Sequence, residues 1–152
     1  MLKVKHLSIG YEGKTVIHDI NAKVYAGEII GNELQSVGIN CALAPVIDIN
    51  NNANNPIIGL RSFGDDPLLV SEYGIYYQNG LASTNTISCA KHFPGHGNTT
   101  VDSHYGLPIV NRNKKELSKT ELAPYIECIQ NGVDMIMSAH ILYPEIDDST
   151  IF

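Results

Sequence analysis

Cysteine is scarce, basic residues are outnumbered and no apolar run is long. The 152 residues hold three cysteines, and 10 Lys and Arg stand against 16 Asp and Glu, for a net charge of -6. Cys41, Cys89 and Cys128 are an odd number without metal-type spacing. That argues against a disulfide framework or a zinc cluster, and two of them sit in apolar runs where a reduced thiol acts as a small hydrophobe. A negative chain without a Lys/Arg run argues against nucleic acid or an acidic membrane as the main partner. No apolar stretch reaches the roughly 18 residues of a membrane span, and Met1-Leu2-Lys3-Val4-Lys5 leads into no signal core. The expected compartment is the cytoplasm. A hydrophobic content of 43% excludes overall disorder and fits one domain or a piece of a larger one.

What is present changes character once along the chain. Residues 1–24, MLKVKHLSIGYEGKTVIHDINAKV, alternate apolar and polar side chains on either side of Gly10 and Gly13, which predicts an antiparallel hairpin. From Ile39 the apolar run INCALAPVIDI is followed by a loop and a helical pattern over about 67–82. The pattern then recurs. TISCAKHF leads through a long loop to a helical stretch over about 117–130, with Leu122, Tyr125, Ile126 and Ile129 on one face and Gly132 as its stop, and VDMIMSAHI opens a third unit. Unbroken apolar strands alternating with amphipathic helices predict an α/β fold with a parallel sheet. Polar residues close each run: Asp48, then Lys91 and His92, then His140. In such folds that edge carries the chemistry.

The densest chemistry lies in KHFPGHGNTTVDSHYGLP, residues 91–108, with three of the chain's six histidines. Three readings of it stand side by side. It is a solvated glycine-rich loop; or a metal site drawing on His92, His96, Asp102 and His104, although Pro94, Gly95 and Gly97 disfavour the helix that an H-x3-H pair would need; or an acid–base site. In an extended loop residues two apart project to the same side, so Asp102 can meet His104 and fix its tautomer, leaving the imidazole to give and take a proton near neutral pH. Lys91, His92 and Arg61 would then donate hydrogen bonds to substrate hydroxyls, unless Arg61 merely pairs with Asp65 or Asp66.

APVIDIN at 44–50, RSFGDDP at 61–67, the 91–108 segment and MSAH at 137–140, in that order, resemble glycoside hydrolase family 3, in its β-N-acetylglucosaminidase branch. The likeness runs over residues 25–152. It implies a partial (β/α)8 barrel of about three βα units and a retaining double displacement, with His104 as general acid/base supported by Asp102. It also implies that Asp48, Arg61, Lys91 and His92 hold a terminal β-linked N-acetylglucosamine, from cell-wall fragments or chitin oligomers, and it implies no cofactor and no metal. A retaining mechanism needs a carboxylate nucleophile as well, which the resemblance places on a strand after MSAH; Asp147 and Asp148 lack its motif. The site is thus expected to be half present, and open sheet edges are expected to favour self-association.

Residues 1–29 resemble the opening of an ABC-transporter ATPase, whose hairpin carries an adenine-stacking aromatic, here Tyr11. The phosphate loop G-x-x-x-x-G-K-[ST] that should follow GEI is replaced by IGNELQSVGIN, so ATP hydrolysis is not expected. The hairpin 1–24 is read as a foreign fragment joined to the glycosidase segment within residues 22–29. A non-catalytic remnant, a metal-dependent hydrolase and a nucleotide-binding module are the alternative readings.

Overall fold

A computed structural model describes residues 2–11, 14–24 and 26–147, with side chains from residue 26 onward. Strands β1 (Leu2–Tyr11) and β2 (Lys14–Val24) pair antiparallel, Leu2 opposite Val24 and Tyr11 opposite Lys14, as the alternation predicts. Helix α1 (Ala26–Ser36) leads to β3 (Cys41–Ala42), α2 (Pro67–Ala82), β4 (Ile87–Phe93), α3 (Lys114–Lys119), α4 (Ala123–Gln130) and β5 (Met135–Ser138). The sheet runs β3-β4-β5 with both pairings parallel, so its spatial order is its sequence order. The expected α/β class and its three parallel strands are present.

Helix α2 occupies the expected range because its start is encoded locally. Asp66 accepts from the Leu68 N–H at 2.8 Å, and Pro67 occupies a first-turn position where no N–H is needed. The single helix expected over 117–130 is instead two. Asn113 and Glu116 form a capping box at the start of α3, and the chain breaks before α4, whose second residue is Pro124. At the break the Glu121 carboxylate turns inward to Arg112 Nε (3.3 Å) and Asn51 Nδ2 (3.2 Å). Ile126 and Ile129, expected on the buried face with Leu122 and Tyr125, are 46% and 55% exposed.

The apolar run 39–49 is also not one regular strand. The β3–β4 ladder pairs Ala42 with Ser88 and next Val46 with Lys91, four residues against three; the extra residue falls where Pro45 has no N–H to give. A second irregularity lies between β4 and β5, where Lys91 pairs with Met137 and Phe93 with Ser138, leaving His92 as an additional residue. Beneath these strand ends Ile47, Ile49, Val70, Ala90, Tyr125 and Cys128 form the core. Cys89 and Cys128 are buried free thiols, and burial pushes Cys128 up to about 12, so it stays a neutral hydrophobe. Gln78, buried in α2, donates to the carbonyls of Cys128 (3.1 Å) and Asn131 (2.9 Å), closing the C-terminus of α4. No described helix is long and apolar enough to cross a membrane.

Helices α1 and α2 touch backbone to backbone. A Cβ on Gly80 would lie 2.5 Å from the Glu28 nitrogen, and one on Gly27 would lie 2.0 Å from the Tyr77 carbonyl oxygen. Alanine is the better helix former by about 1 kcal/mol, but a clash against backbone cannot relax by rotamer change. Gly80→Ala is therefore expected to destabilise the chain by about 1–3 kcal/mol, read as a lowered midpoint in urea unfolding; an unchanged or raised midpoint would show that the helices stand further apart.

Candidate functional site

The C-terminal ends of β3 and β4 are organised by one carboxylate. Asp48 has no exposed surface. Its Oδ1 accepts the His96 N–H at 2.6 Å, its Oδ2 meets His92 Nδ1 at 2.7 Å, and the His92 N–H lies 3.2 Å from both oxygens. Buried charge is tolerable only when so satisfied. Asp48 therefore stands behind His92 rather than at the open edge, fixing the ring and the turn that follows β4. With Nδ1 turned to Asp48, Nε2 of the His92 ring faces the Arg61 guanidinium at 3.4 Å.

Arg61 reaches this point because the turn that carries it is tied to the segment that follows β3. The Ser62 hydroxyl donates to the Asp48 carbonyl at 2.6 Å, the Asn50 N–H donates to the Gly64 carbonyl at 2.9 Å, and Arg61 also donates to Ile57 O at 3.2 Å. The ion pair of Arg61 with Asp65 or Asp66 that would have left it off the site is replaced by this arrangement, Asp66 serving as the cap of α2. Lys91 stands next along β4. Its ammonium is held below the usual lysine range, first by burial and then by the Arg61 cation. Arg61, Lys91 and His92 thus converge at one strand edge, rich in donors for the oxygens of a polar ligand. His140 lies two residues beyond β5 and is exposed.

Asp102 and His104 meet on the following loop as expected. His104 Nδ1 lies 2.7 Å from Asp102 Oδ1, which also accepts the His104 N–H at 2.9 Å. These two contacts, the backbone one first, hold the Asp102 carboxyl below its ordinary value. The His104 side chain is 74% exposed and Asp102 21%, so Nε2 is presented outward in a fixed tautomer.

Several supporting residues are not evident from the sequence. His96, 2% exposed, holds Thr99 Oγ1 at 2.7 Å through Nδ1 and Ser103 Oγ at 3.2 Å through Nε2. The asparagine-rich segment at 50–55 supplies the backbone partners that this loop lacks. Asn55 Nδ2 donates to the carbonyls of His96 (2.8 Å), Gly97 (3.2 Å) and Thr99 (3.1 Å), and Asn52 Nδ2 to those of Asn98 and Thr99. The signal was the asparagine run itself, since such amides satisfy loop backbone. Gly97 is required where it stands, because a Cβ there would lie 1.8 Å from the Ile49 carbonyl oxygen.

Both ring nitrogens of His96 are engaged by protein partners, which takes it out of a ligand set, and no group of three or more His, Cys, Asp or Glu among the described residues is placed to hold an ion.

Two outcomes test this geometry. Asp48→Ala leaves the N–H groups of His92 and His96 and the His92 ring without their acceptor, with an expected loss of about 3 kcal/mol in urea unfolding; Asp48→Asn keeps one acceptor oxygen and is expected to lose less. For Asp102, a depressed folded pKa means that its stabilisation of the loop is complete above the ordinary value of 3.8 and is lost as pH falls through the lower folded value. A carbon-detected NMR titration is expected to show Asp102 still ionised where a free aspartate is half protonated, and an ordinary titration would remove the contact.

The comparisons with known proteins converge on this segment. The glycosyl hydrolase family 3 N-terminal domain matches residues 13–151. Beta-hexosaminidase A of Pseudoalteromonas piscicida is 42% identical over 132 residues, 84% of this chain and 22% of that protein. A Neisseria meningitidis beta-hexosaminidase is 40% identical across 80% of this chain and 33% of its own length. Among solved structures, a family 3 beta-N-acetylglucosaminidase from Paenibacillus superposes with a TM-score of 0.82 at 44% identity over 84% of this chain and 24% of that one. NagZ from Neisseria gonorrhoeae, solved with N-trifluoroacetyl-D-glucosamine, gives 0.75 at 38% identity over 80% of this chain and 35% of its own. The chain spans between about a fifth and a third of the length of these relatives. The family match begins on the hairpin likened to an ABC-transporter ATPase, and none of these four relatives is an ATPase, so that likeness gains nothing from them. By its match over most of its length and by the site it builds at the strand ends, the chain belongs to the glycosyl hydrolase family 3 N-terminal domain family.

Proposed function

We propose that this chain is the sugar-recognising and proton-transferring segment of a retaining β-N-acetylglucosaminidase, with β3, β4 and β5 as consecutive strands of a (β/α)8 barrel. Sequential, parallel strand order supports the barrel. The observation that carries the activity is the Asp102–His104 contact at 2.7 Å, which leaves the outer nitrogen of an exposed imidazole free on the loop after β4.

In this reading the protonated His104 ring gives its Nε2 proton to the glycosidic oxygen as the bond to the anomeric carbon breaks, and the Asp102 carboxylate at Nδ1 favours the charged ring before that proton leaves and again when one returns. The same nitrogen then takes a proton from the attacking water when the sugar is released. Arg61 and Lys91 donate to the sugar's oxygens, and Asp48 acts by orienting the His92 ring, whose Nε2 accepts at the same edge. The carboxylate that attacks the anomeric carbon belongs to a later strand than β5. The substrate class rests on the relatives, which are hexosaminidases by name, one of them holding a glucosamine derivative.

Calorimetric titration with N-acetylglucosamine separates this reading from a non-catalytic remnant. Arg61→Ala and Lys91→Ala are each expected to weaken binding about tenfold or more, since a hydrogen bond from a charged group is worth about 1.5–3 kcal/mol. Binding indifferent to both would end the reading. With an aryl β-N-acetylglucosaminide the 152-residue chain is expected to give no detectable turnover. In a protein that supplies the nucleophile, His104→Ala is expected to cost about 10²–10⁴ in rate. Aryl alcohol released by the chain alone, and lost in His104→Ala, would show a complete site and contradict the half-site.

Self-association is part of the same proposal. Met135 and Ile136 of β5 are each 39% exposed, Ile126 and Ile129 of α4 are 46% and 55% exposed, and among the described residues β5 pairs with β4 on one side only, an edge that invites pairing. Sedimentation velocity is expected to show oligomers; a monodisperse monomer with a sharp cooperative melt would count against it.

A further inference from the structure

The dyad's internal hydrogen bonds fix Asp102 against His104 but do not fix either against the strand edge. Within the loop the Asp102 carbonyl accepts the N–H groups of Tyr105 (3.0 Å) and Gly106 (3.1 Å), and Asp102 Oδ1 accepts that of His104. All of these bonds stay inside residues 102–106. The loop is also poorly buried: Val101 is 40% exposed, Tyr105 91% and the His104 side chain 74%. Among the described residues, the hydrogen bond that ties it to the framework is the one between Ser103 Oγ and His96 Nε2, at 3.2 Å. Ser103 is the residue between the two members of the dyad.

His96 is built to receive that bond. Its ring is 2% exposed, its N–H is held by Asp48 at 2.6 Å, and its carbonyl accepts from Asn55 Nδ2 at 2.8 Å. The network accommodates one tautomer in full: with the Thr99 hydroxyl proton on the His96 carbonyl at 3.0 Å, its oxygen at 2.7 Å accepts from Nδ1–H. The lone pair of the neutral ring is then on Nε2, facing Ser103, whose hydroxyl donates to it.

We propose that His96 is a positioning residue: through Ser103 it docks the loop carrying Asp102 and His104 onto the frame, fixed by Asp48, that presents Arg61, Lys91 and His92. The role of this docking in proton transfer rests on the reading of His104 as acid/base. The docking itself does not. An exposed imidazole on an untethered loop would still pair with Asp102, but its Nε2 would visit the bond to be cleaved only part of the time.

Hydrogen–deuterium exchange of the intact chain tests the docking without any turnover. In Ser103→Ala, segment 100–107 is expected to exchange about three- to tenfold faster, the loss of one ordinary hydrogen bond, while segments of β4 and α2 keep their rates. Ser103→Thr, which retains the hydroxyl, is expected to restore slow exchange, and His96→Gln to match Ser103→Ala at the loop. Unchanged exchange in Ser103→Ala, equal acceleration throughout the chain, or no rescue by threonine would each overturn the proposal. Calorimetry with N-acetylglucosamine on the same proteins separates the two ideas. Loop exchange that responds as expected in a chain that binds no sugar would leave the docking standing and the sugar reading fallen.

Discussion

A carboxylate sealed from water must surround itself with donors or surrender its charge. Asp48 does the former, and the donors it gathers come from His92 at the end of β4 and His96 in the turn after it. That single satisfied anion explains why the turn can double back on itself close to the strand ends. It sets the His92 ring, the entry to the glycine-containing loop and, through its own carbonyl, the Ser62 turn that aims Arg61. Recognition groups from distant stretches of sequence are thus positioned by one buried group that touches no open surface.

Two regimes of order follow. Lys91 and His92 belong to β4, which carries Ala90 into the core with Ile47, Ile49 and Tyr125, and Arg61 is carried by a turn hydrogen-bonded to Asp48. The Asp102–His104 pair sits on a loop with little apolar burial, where order comes from hydrogen bonds alone. Such a division suits the proposed reaction, in which a sugar is gripped without slack while a proton passes to the leaving oxygen and is later taken from water.

Much of this was legible because it is local. The Asp66-Pro67 start of α2, the polar closures of apolar runs at Asp48 and Lys91-His92, and the two-residue spacing of Asp102 and His104 are all encoded within a few positions. What the sequence conceals is long-range satisfaction. The break between α3 and α4 depends on Glu121 turning toward Asn51, 70 residues away, and the asparagines at 50–55 read as an unremarkable loop until their carbonyl partners at 96–99 are brought beside them. Ile126 and Ile129 mislead for a related reason: their apolar spacing is that of a buried face, but no described element of this chain covers them.

The extra residue in β4 at His92 has a consequence for how this edge is composed. In a regular strand neighbours face away from each other, and a ligand meets every second side chain. Here the count of two steps on β4 to one on β5 interrupts that rule, so the adjacent Lys91 and His92 both work beside Arg61. The edge thereby offers twice the density of functional groups that alternation allows, within one stretch of backbone. It also makes the length of that stretch as binding as its chemistry: removing one residue would restore the alternation and carry Phe93, now set edge-on against Tyr125 with ring centroids 5.3 Å apart, to the opposite face of the sheet.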